Sequence, residues 1–374
     1  MTAKVLMRGT HVLAEAAIRA GCRAYFGYPI TPQNELPEYM ASSFAKMEGA
    51  TFIQAESELA AINMVIGASV AGARVMTSSS SPGISLKQEG ISYLAALELP
   101  ALIVNMMRGG PGLGNIAPSQ GDYFQATRGG GHGDYRVIVL APAYGQEIVD
   151  MTRTAFDLAD MYRTPVMILG DGTIGQMMEP VIFPDPIDPA SLPVKDWALT
   201  GAKGRPSRSI RSLWLDENIE EELNWRLARK YQRITEEVPD QEMYLVDDAD
   251  LIVSAYGTAA RIAKGGVHRA RDMGIRVGLF RPKTLWPFPS APLAELSRKV
   301  RHILVFEMST GQMVEDVRLA VEGRCDVSFY GRPGGIVSTP EEVARVISGA
   351  YHRICYDAPG RIRSDLRGGG GGAG

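Results

Sequence analysis

The sequence predicts an α/β protein made of two successive parallel-sheet units joined by an irregular segment. Three observations carry that expectation. Short apolar runs alternate with amphipathic stretches through residues 1–185, the alternation returns on a smaller scale through 248–350, and prolines and charge interrupt it through 186–247. Strands alternating with helices indicate a parallel sheet covered on both faces. Ligands of such sheets bind beyond the carboxyl ends of the strands.

In the first unit a helix over Gly9–Ala20 leads into strands at Arg23–Gly27, Thr51–Ala55, Ala73–Thr77, Ala101–Met107, Arg136–Ala141 and Pro165–Gly170. Helices fall between most of them, at Gln33–Lys46, Glu58–Ala71, Ile84–Ala96 and Gln146–Met161. Pro184, Pro186, Pro189 and Pro193 then break the pattern, and Leu215–Glu237 mixes acids and bases at helical spacing, which reads as a linker with one exposed or interface helix. The second unit has strands at Leu251–Tyr256, Ile275–Phe280, His302–Glu307 and Val327–Tyr330, and helices at Thr258–Arg271, Pro292–Lys299, Gly311–Val321 and Glu341–Ala350. Residues 351–374 form a tail whose glycine-rich end predicts disorder.

Composition narrows the function classes. With 39 Lys and Arg against 42 Asp and Glu the net charge is −3, too little basic excess for non-specific nucleic-acid binding. Cys22, Cys325 and Cys355 are odd in number and far apart, so they predict neither a disulfide framework nor a Cys-x-x-Cys metal site. No apolar run of about 20 residues is present to span a bilayer, and the first residues carry too short an apolar run for a signal peptide. The expected location is the cytoplasm, away from membranes.

Three phosphate-site look-alikes fail on inspection. No Gly-x-x-x-x-Gly-Lys-[Ser/Thr] occurs. Gly112-Leu-Gly114-Asn-Ile-Ala117 matches a loose dinucleotide pattern, but Pro118 follows at once and Arg108–Pro111 separates the glycines from the strand. Gly170-Asp171-Gly172 opens the motif that holds Mg²⁺ and a diphosphate, yet the Asn-Asn needed roughly 25–30 residues later is missing. The chain therefore does not bind Mg-diphosphate alone, and no metal ligands are assigned to it.

What remains is a set of loops at strand ends. In Tyr28-Pro29-Ile30-Thr31-Pro32 two prolines stiffen the chain around Ile-Thr, so the loop either presents the Thr31 hydroxyl or merely starts the next helix. Glu56-Ser57-Glu58 opens an apolar helix, where carboxylates serve as capping groups or face a ring nitrogen that must be protonated. Arg108-Gly109-Gly110-Pro111 puts an arginine at the end of a very apolar strand, suited either to a small carboxylate held bidentately or to a structural salt bridge. Ser119-Gln-Gly-Asp122 and Gly129-Gly-Gly-His132-Gly-Asp134 lengthen this loop, with His132 read as a loop hydrogen-bonder rather than a base.

Taken in order, these segments resemble the α subunit of the 2-oxoacid:ferredoxin oxidoreductases. The resemblance rests on Tyr28–Pro32, Glu56-Ser-Glu58-Leu-Ala-Ala-Ile-Asn63, Met76-Thr-Ser-Ser-Ser-Ser-Pro-Gly83, Arg108–Pro111, Ser119–Asp122 and Gly131-His-Gly-Asp134. It continues through Ala255-Tyr-Gly-Thr258 and Phe280–Phe288 and covers nearly everything to about residue 350. It implies a thiamine-diphosphate pyrimidine-binding-like parallel sheet domain at 1–185, followed by a transketolase C-terminal-like α/β domain at 248–350.

The activity implied is CoA-dependent oxidative decarboxylation of a 2-oxo acid to acyl-CoA, CO₂ and reduced ferredoxin. Thiamine diphosphate would be shared with a β subunit that supplies the Mg²⁺–diphosphate site and an iron–sulfur cluster. Gamma and ferredoxin-like delta subunits and ferredoxin complete the implied partners. Glu58, rather than Glu56, aligns with the family carboxylate that hydrogen-bonds the pyrimidine nitrogen. Tyr28, Pro29, Ile30 and Thr31 would line the cofactor, Thr31 would bond substrate or cofactor, and Arg108 with Gly109 and Gly110 would hold the substrate carboxylate. The nearest subset is the 3-methyl-2-oxobutanoate (2-ketoisovalerate) type, then the 2-oxoglutarate synthase α chains. Where the family loop is similar to Arg-Gly-Gly-Pro-Ser-Thr-Gly-Leu-Pro-Thr, three hydroxyl positions here are Gly112, Leu113 and Ala117. A less polar pocket favours a branched-chain substrate over a dicarboxylate. A non-catalytic thiamine-fold scaffold is the alternative of a different class, opposed by the joint presence of Thr31, Glu58 and Arg108.

Overall fold

A computed structural model of the chain describes residues 4–356. The chain opens with β1 (Val5–Arg8), α1 (Gly9–Arg19), β2 (Ala24–Gly27), α2 (Glu35–Phe44), β3 (Thr51–Gln54), α3 (Glu58–Val70), β4 (Val75–Ser79), α4 (Ser81–Ala96) and β5 (Ala101–Met107). Then come α5 (Tyr123–Arg128), β6 (Ile138–Leu140), α6 (Gly145–Tyr162), β7 (Pro165–Asp171), α7 (Gly172–Gln176) and β8 (Met178–Val181). A long irregular stretch precedes α8 (Glu217–Glu237). The rest is β9 (Gln241–Tyr244), β10 (Leu251–Ser254), α9 (Gly257–Asp272), β11 (Val277–Pro282), β12 (Thr284–Trp286), α10 (Ser290–Ser297), β13 (His302–Glu307), α11 (Met313–Val321), β14 (Asp326–Gly331) and α12 (Pro340–Tyr356). Residues 351–356 thus extend the last helix, and the remainder of the expected tail lies outside the described residues.

The larger sheet has strand order β12-β6-β7-β5-β4-β2-β3, parallel except for β12. Its central strand β5 is buried at every residue, as a strand covered on both faces requires. Each large apolar side chain so buried contributes about 1.5–3 kcal/mol. β5 runs in register with β7 from Ala101 opposite Pro165 to Met107 opposite Asp171. Arg108 and Gly172 therefore leave the sheet side by side at its carboxyl end. A five-stranded sheet has order β14-β13-β10-β11-β9, with only β9 antiparallel, and β1 pairs with β8 in a separate two-stranded sheet.

Two features depart from the sequence reading. Strand β12, from the second stretch of the chain, pairs antiparallel with β6 and closes one edge of the first sheet. Helix α8 is not simply solvated: Leu223, Leu227, Tyr231 and Ile234 form a buried stripe packed in the core around α1, α2 and α6, and while most of its charged residues face outward, Lys230 turns in to pair with Glu98 at 3.1 Å. The two units are also stitched by charge. Arg281 of β11, 2% exposed, bonds Glu147 of α6 through both Nη atoms and Glu242 of β9 through Nε at 2.8 Å.

Candidate active site

The start of α3 separates two carboxylates, Glu56 and Glu58, into different environments. Ser57 is the helix cap, its hydroxyl accepting from the Ala60 amide at 3.2 Å. With the cap thus supplied, Glu58 is not needed for it. Glu58 is buried and Glu56 exposed. No hydrogen bond or salt bridge engages the Glu58 carboxylate among the described residues. Burying a carboxylate without a partner is costly.

Helix α4 lets it sit there. Gly83 lies so close to α3 that a Cβ would stand 2.6 Å from Glu58 Oε1 and collide with Ser79 Oγ. One further close approach, Gly90 against Ile62, presses the two helices together. Around them the serine run at the end of β4 leaves Ser79 Oγ and Ser80 Oγ buried without partners. Ser78 Oγ, by contrast, donates to Gln33 Oε1 and shares a bond with Tyr25 Oη.

Arg108 joins two loops. Its Nη1 donates to the Thr31 carbonyl and its Nη2 to the Leu113 carbonyl, each at 3.0 Å. The structural salt bridge is absent among the described residues; Arg108 is 8% exposed, and its Nε is buried without a partner. Of five guanidinium donors two are used, leaving a face for an anionic ligand. Tyr28, Pro29, Thr31 and Gly110 are exposed, Ile30 is half-buried and Gly109 is buried. A cavity of about 470 Å³ beside them is lined by Thr31, Pro32, Ile116, Pro118 and Thr173. Gly114, at φ +62°, turns the loop back so that a Cβ there would stand 1.7 Å from the Gly109 carbonyl oxygen, a position no side chain could take.

The flanking acidic groups are structural. Asp171, from the Gly-Asp-Gly segment, is buried; its Oδ1 caps α7 through the amides of Thr173 and Ile174 and accepts from the Thr258 hydroxyl at 2.9 Å. Burial raises its pKa, opposed by those hydrogen bonds. Asp122 accepts from Ser81 and from Asn105, and burial raises its pKa too. Gln120 ties the glycine-rich loop to the second unit by bonds to Tyr256 and Met308. His132 is exposed and makes no hydrogen bond among the described residues, so the loop hydrogen-bonding role expected of it is not seen. Among the described residues no cluster of three or more His, Cys, Asp or Glu could hold a metal ion, and no helix is long and apolar enough to cross a membrane.

Sequence reasoning missed one charged residue in this region. Lys87 of α4 is fully buried, donating to Thr77 Oγ1 at 2.8 Å and to the Ser78 carbonyl at 3.4 Å. Its spacing of four from Gly83 and from Ile91 on an otherwise apolar helix face was the available signal.

Comparison with known proteins places this geometry. Residues 15–223 match the thiamine-diphosphate-binding model of the pyruvate flavodoxin/ferredoxin oxidoreductases, and residues 249–343 match core domain II of pyruvate:ferredoxin oxidoreductase. The chain is 51% identical over 330 residues to ketoisovalerate oxidoreductase subunit VorB of Methanothermobacter thermautotrophicus, covering 88% of this chain and 93% of that one. It is 37% identical over 373 residues to 2-oxoglutarate synthase subunit KorA of the same organism, covering 93% and 99%. A solved structure of 2-oxoglutarate:ferredoxin oxidoreductase from Magnetococcus marinus, with 2-oxoglutarate, coenzyme A and succinyl-CoA bound, superposes with TM-score 0.83 at 26% identity, over 94% of this chain and 66% of that one. A split-gene transketolase shares the fold, with TM-score 0.55 at 12% identity. The chain belongs to the 2-oxoacid:ferredoxin oxidoreductases, as a subunit carrying their thiamine-diphosphate-binding domain.

Proposed function

We propose that this chain is the α subunit of an oxidoreductase that converts 3-methyl-2-oxobutanoate and CoA to the branched acyl-CoA, CO₂ and reduced ferredoxin. Its 1–185 unit receives the cofactor's aminopyrimidine, and its 248–350 unit is the transketolase C-terminal-like domain. The observation that carries this reading is the buried Glu58 carboxylate, unbonded and capped off from its own helix by Ser57.

Such a carboxylate fits a protonated ring nitrogen, and the glycine at position 83 keeps the space beside it open. Thiamine diphosphate, when bound, supplies the carbon nucleophile and the electron sink for decarboxylation. Glu58 would accept a hydrogen bond from the pyrimidine N1′ and hold the proton there. Arg108 would direct its unspent donors at the substrate carboxylate, and Thr31 would offer its exposed hydroxyl from a loop that the same guanidinium fixes. With Asp171 committed to a helix cap and to Thr258, a partner β subunit supplies the Mg²⁺–diphosphate site and an iron–sulfur cluster. Exposed Ile53 and Leu59 near Glu58, with Leu86 on α4, suit a surface covered by that partner. Gamma and delta subunits and ferredoxin complete the electron path, and three free thiols suit a reducing cytoplasm.

A 2-oxoglutarate substrate is the second reading, favoured by the name of the structure just described. Leu113 and Ile116, 82% and 65% exposed on the loop that Arg108 anchors, oppose it. A second carboxylate packed against them would lose its hydration without gaining a polar partner. The test is anaerobic viologen reduction by this chain co-purified with its partner subunits. The expected order is 3-methyl-2-oxobutanoate ahead of 2-oxoglutarate and pyruvate, with strict dependence on CoA. A 2-oxoglutarate lead overturns the substrate, and an intact, cofactor-loaded complex inert with all three overturns the activity.

A further inference from the structure

Lys87 has no role in the chemistry just described, and a buried lysine with no carboxylate in ion-pair contact is rare. Its helix face is otherwise apolar and small: Gly83, Ile84, Ile91 and Leu94 are buried with it. The two bonds its ammonium makes are to neutral oxygens, Thr77 Oγ1 and the Ser78 carbonyl. One N–H is left over. Gly83, one turn earlier on the same face, is the residue whose missing side chain makes room for Glu58 Oε1. Lys87 and Glu58 thus lie on neighbouring turns of two helices pressed together at Gly83 and Gly90, each a buried charge with no direct counter-ion.

We infer that Lys87 is a positioning residue that acts on Glu58 through its charge, holding the carboxylate ionised until a ring nitrogen arrives to share its proton. This rests on the reading of Glu58 as the pyrimidine partner. The other groups around Lys87 do not compete. Strand β4 offers only neutral Thr77 and Ser78. Tyr25 of β2 reaches Ser78 Oγ instead, and burial holds its phenol protonated. Asp122 is occupied by Ser81 and Asn105, and Arg108 by Thr31 and Leu113. Burial pushes the Lys87 ammonium down to about 7, with the field of Glu58 opposing that fall, so the lysine itself changes charge in the neutral range.

The coupling has a definite sign. An adjacent cation favours the carboxylate form, so removing it raises the carboxyl pKa. In Lys87→Met the infrared carboxyl band of Glu58, identified by its loss in Glu58→Gln, should titrate at least about one pH unit higher than in the unsubstituted full chain, a tenfold change in proton affinity. In the co-purified complex the acid limb of the kcat/KM profile should move upward by the same amount, with the plateau largely kept. A merely structural lysine would lower activity at every pH and leave the midpoint in place, and that result overturns the proposal. Should Lys87→Met fail to fold, the reciprocal measurement decides. With ¹³Cε-lysine labelling of the full chain, Glu58→Gln should lower the Lys87 titration midpoint; an unchanged midpoint overturns the coupling. The titrations need no turnover. Shifts in a complex inert toward every 2-oxo acid would therefore retain the coupling and discard the functional reading.

Discussion

The guanidinium of Arg108 donates to the main-chain carbonyl of Thr31 at 3.0 Å, so the residue expected to hold the substrate also holds the loop that carries the site's hydroxyl. A second bond, to the Leu113 carbonyl, extends the same clamp to the glycine-rich loop. Lysine keeps the charge but cannot reach both carbonyls as a fork. Arg108→Lys should therefore lower kcat/KM by about 100-fold, the worth of one or two charge-assisted hydrogen bonds. Amide hydrogen exchange should quicken across residues 109–117. Slowed turnover with unchanged exchange would show that the clamp is not what the arginine provides.

Gly83→Ala tests the space beside Glu58. The added methyl would stand 2.6 Å from Glu58 Oε1 and against Ser79 Oγ, so the carboxylate must move. Overpacking of this kind costs about 1–3 kcal/mol. Gly90→Ala meets Ile62 at 2.5 Å and should cost as much in stability. Only the Gly83 change should reduce kcat strongly. Equal kcat losses in the two variants would remove Glu58 from the explanation.

Arg281→Met should destabilise the full chain by about 3 kcal/mol, because it leaves the partly buried carboxylates of Glu147 and Glu242 facing each other without the guanidinium between them. Lys264 still pairs with Glu242 at 2.7 Å and limits the loss. A chemical denaturation midpoint within error of the unsubstituted chain would mean that the charge bridge between α6 and β11 does not hold the units together.

Stability should rise with pH just above neutrality. Lys87 has its folded pKa lowered to about 7 while the unfolded lysine keeps the ordinary value of 10.5. Above pH 7 the folded state therefore binds fewer protons, and unfolding free energy increases with pH, by at most about 1.4 kcal/mol per unit. From about pH 9 Cys22, whose thiol burial pushes up to about 12, pulls the other way. The window to examine is pH 7 to 9, and Lys87→Met should flatten it. An equal slope in the variant would assign the effect to another group.

The architecture was legible where local pattern decides it. β5 and β13 have the expected bounds because a nearly continuous apolar run, broken in β5 only by Asn105 and bounded in β13 by His302 and Glu307, is what a doubly covered strand requires. β12 was not legible. Its three residues sit between Lys283 and Pro287, and their partner β6 lies some 140 residues earlier, so nothing local marks the pairing. The loops at the strand ends were legible, and the structure brings the Arg108 guanidinium against the Thr31 carbonyl. The sequence could not separate capping from chemistry at Glu56-Ser57-Glu58. That distinction depends on which side chain reaches the Ala60 amide, and Ser57 does. Lys87 escaped notice because a lone lysine on a helix ordinarily lies in solvent, whereas here the surrounding period makes it interior.

The most direct measurement is turnover of Glu58→Gln in the co-purified, cofactor-loaded complex. Glutamine keeps the shape of the side chain and removes the carboxylate, so subunit assembly and thermal stability should persist while CoA-dependent viologen reduction falls by about 100-fold or more. Near-normal turnover in that variant would contradict the account, for it would leave the buried carboxylate at the start of α3 without the role on which the rest depends.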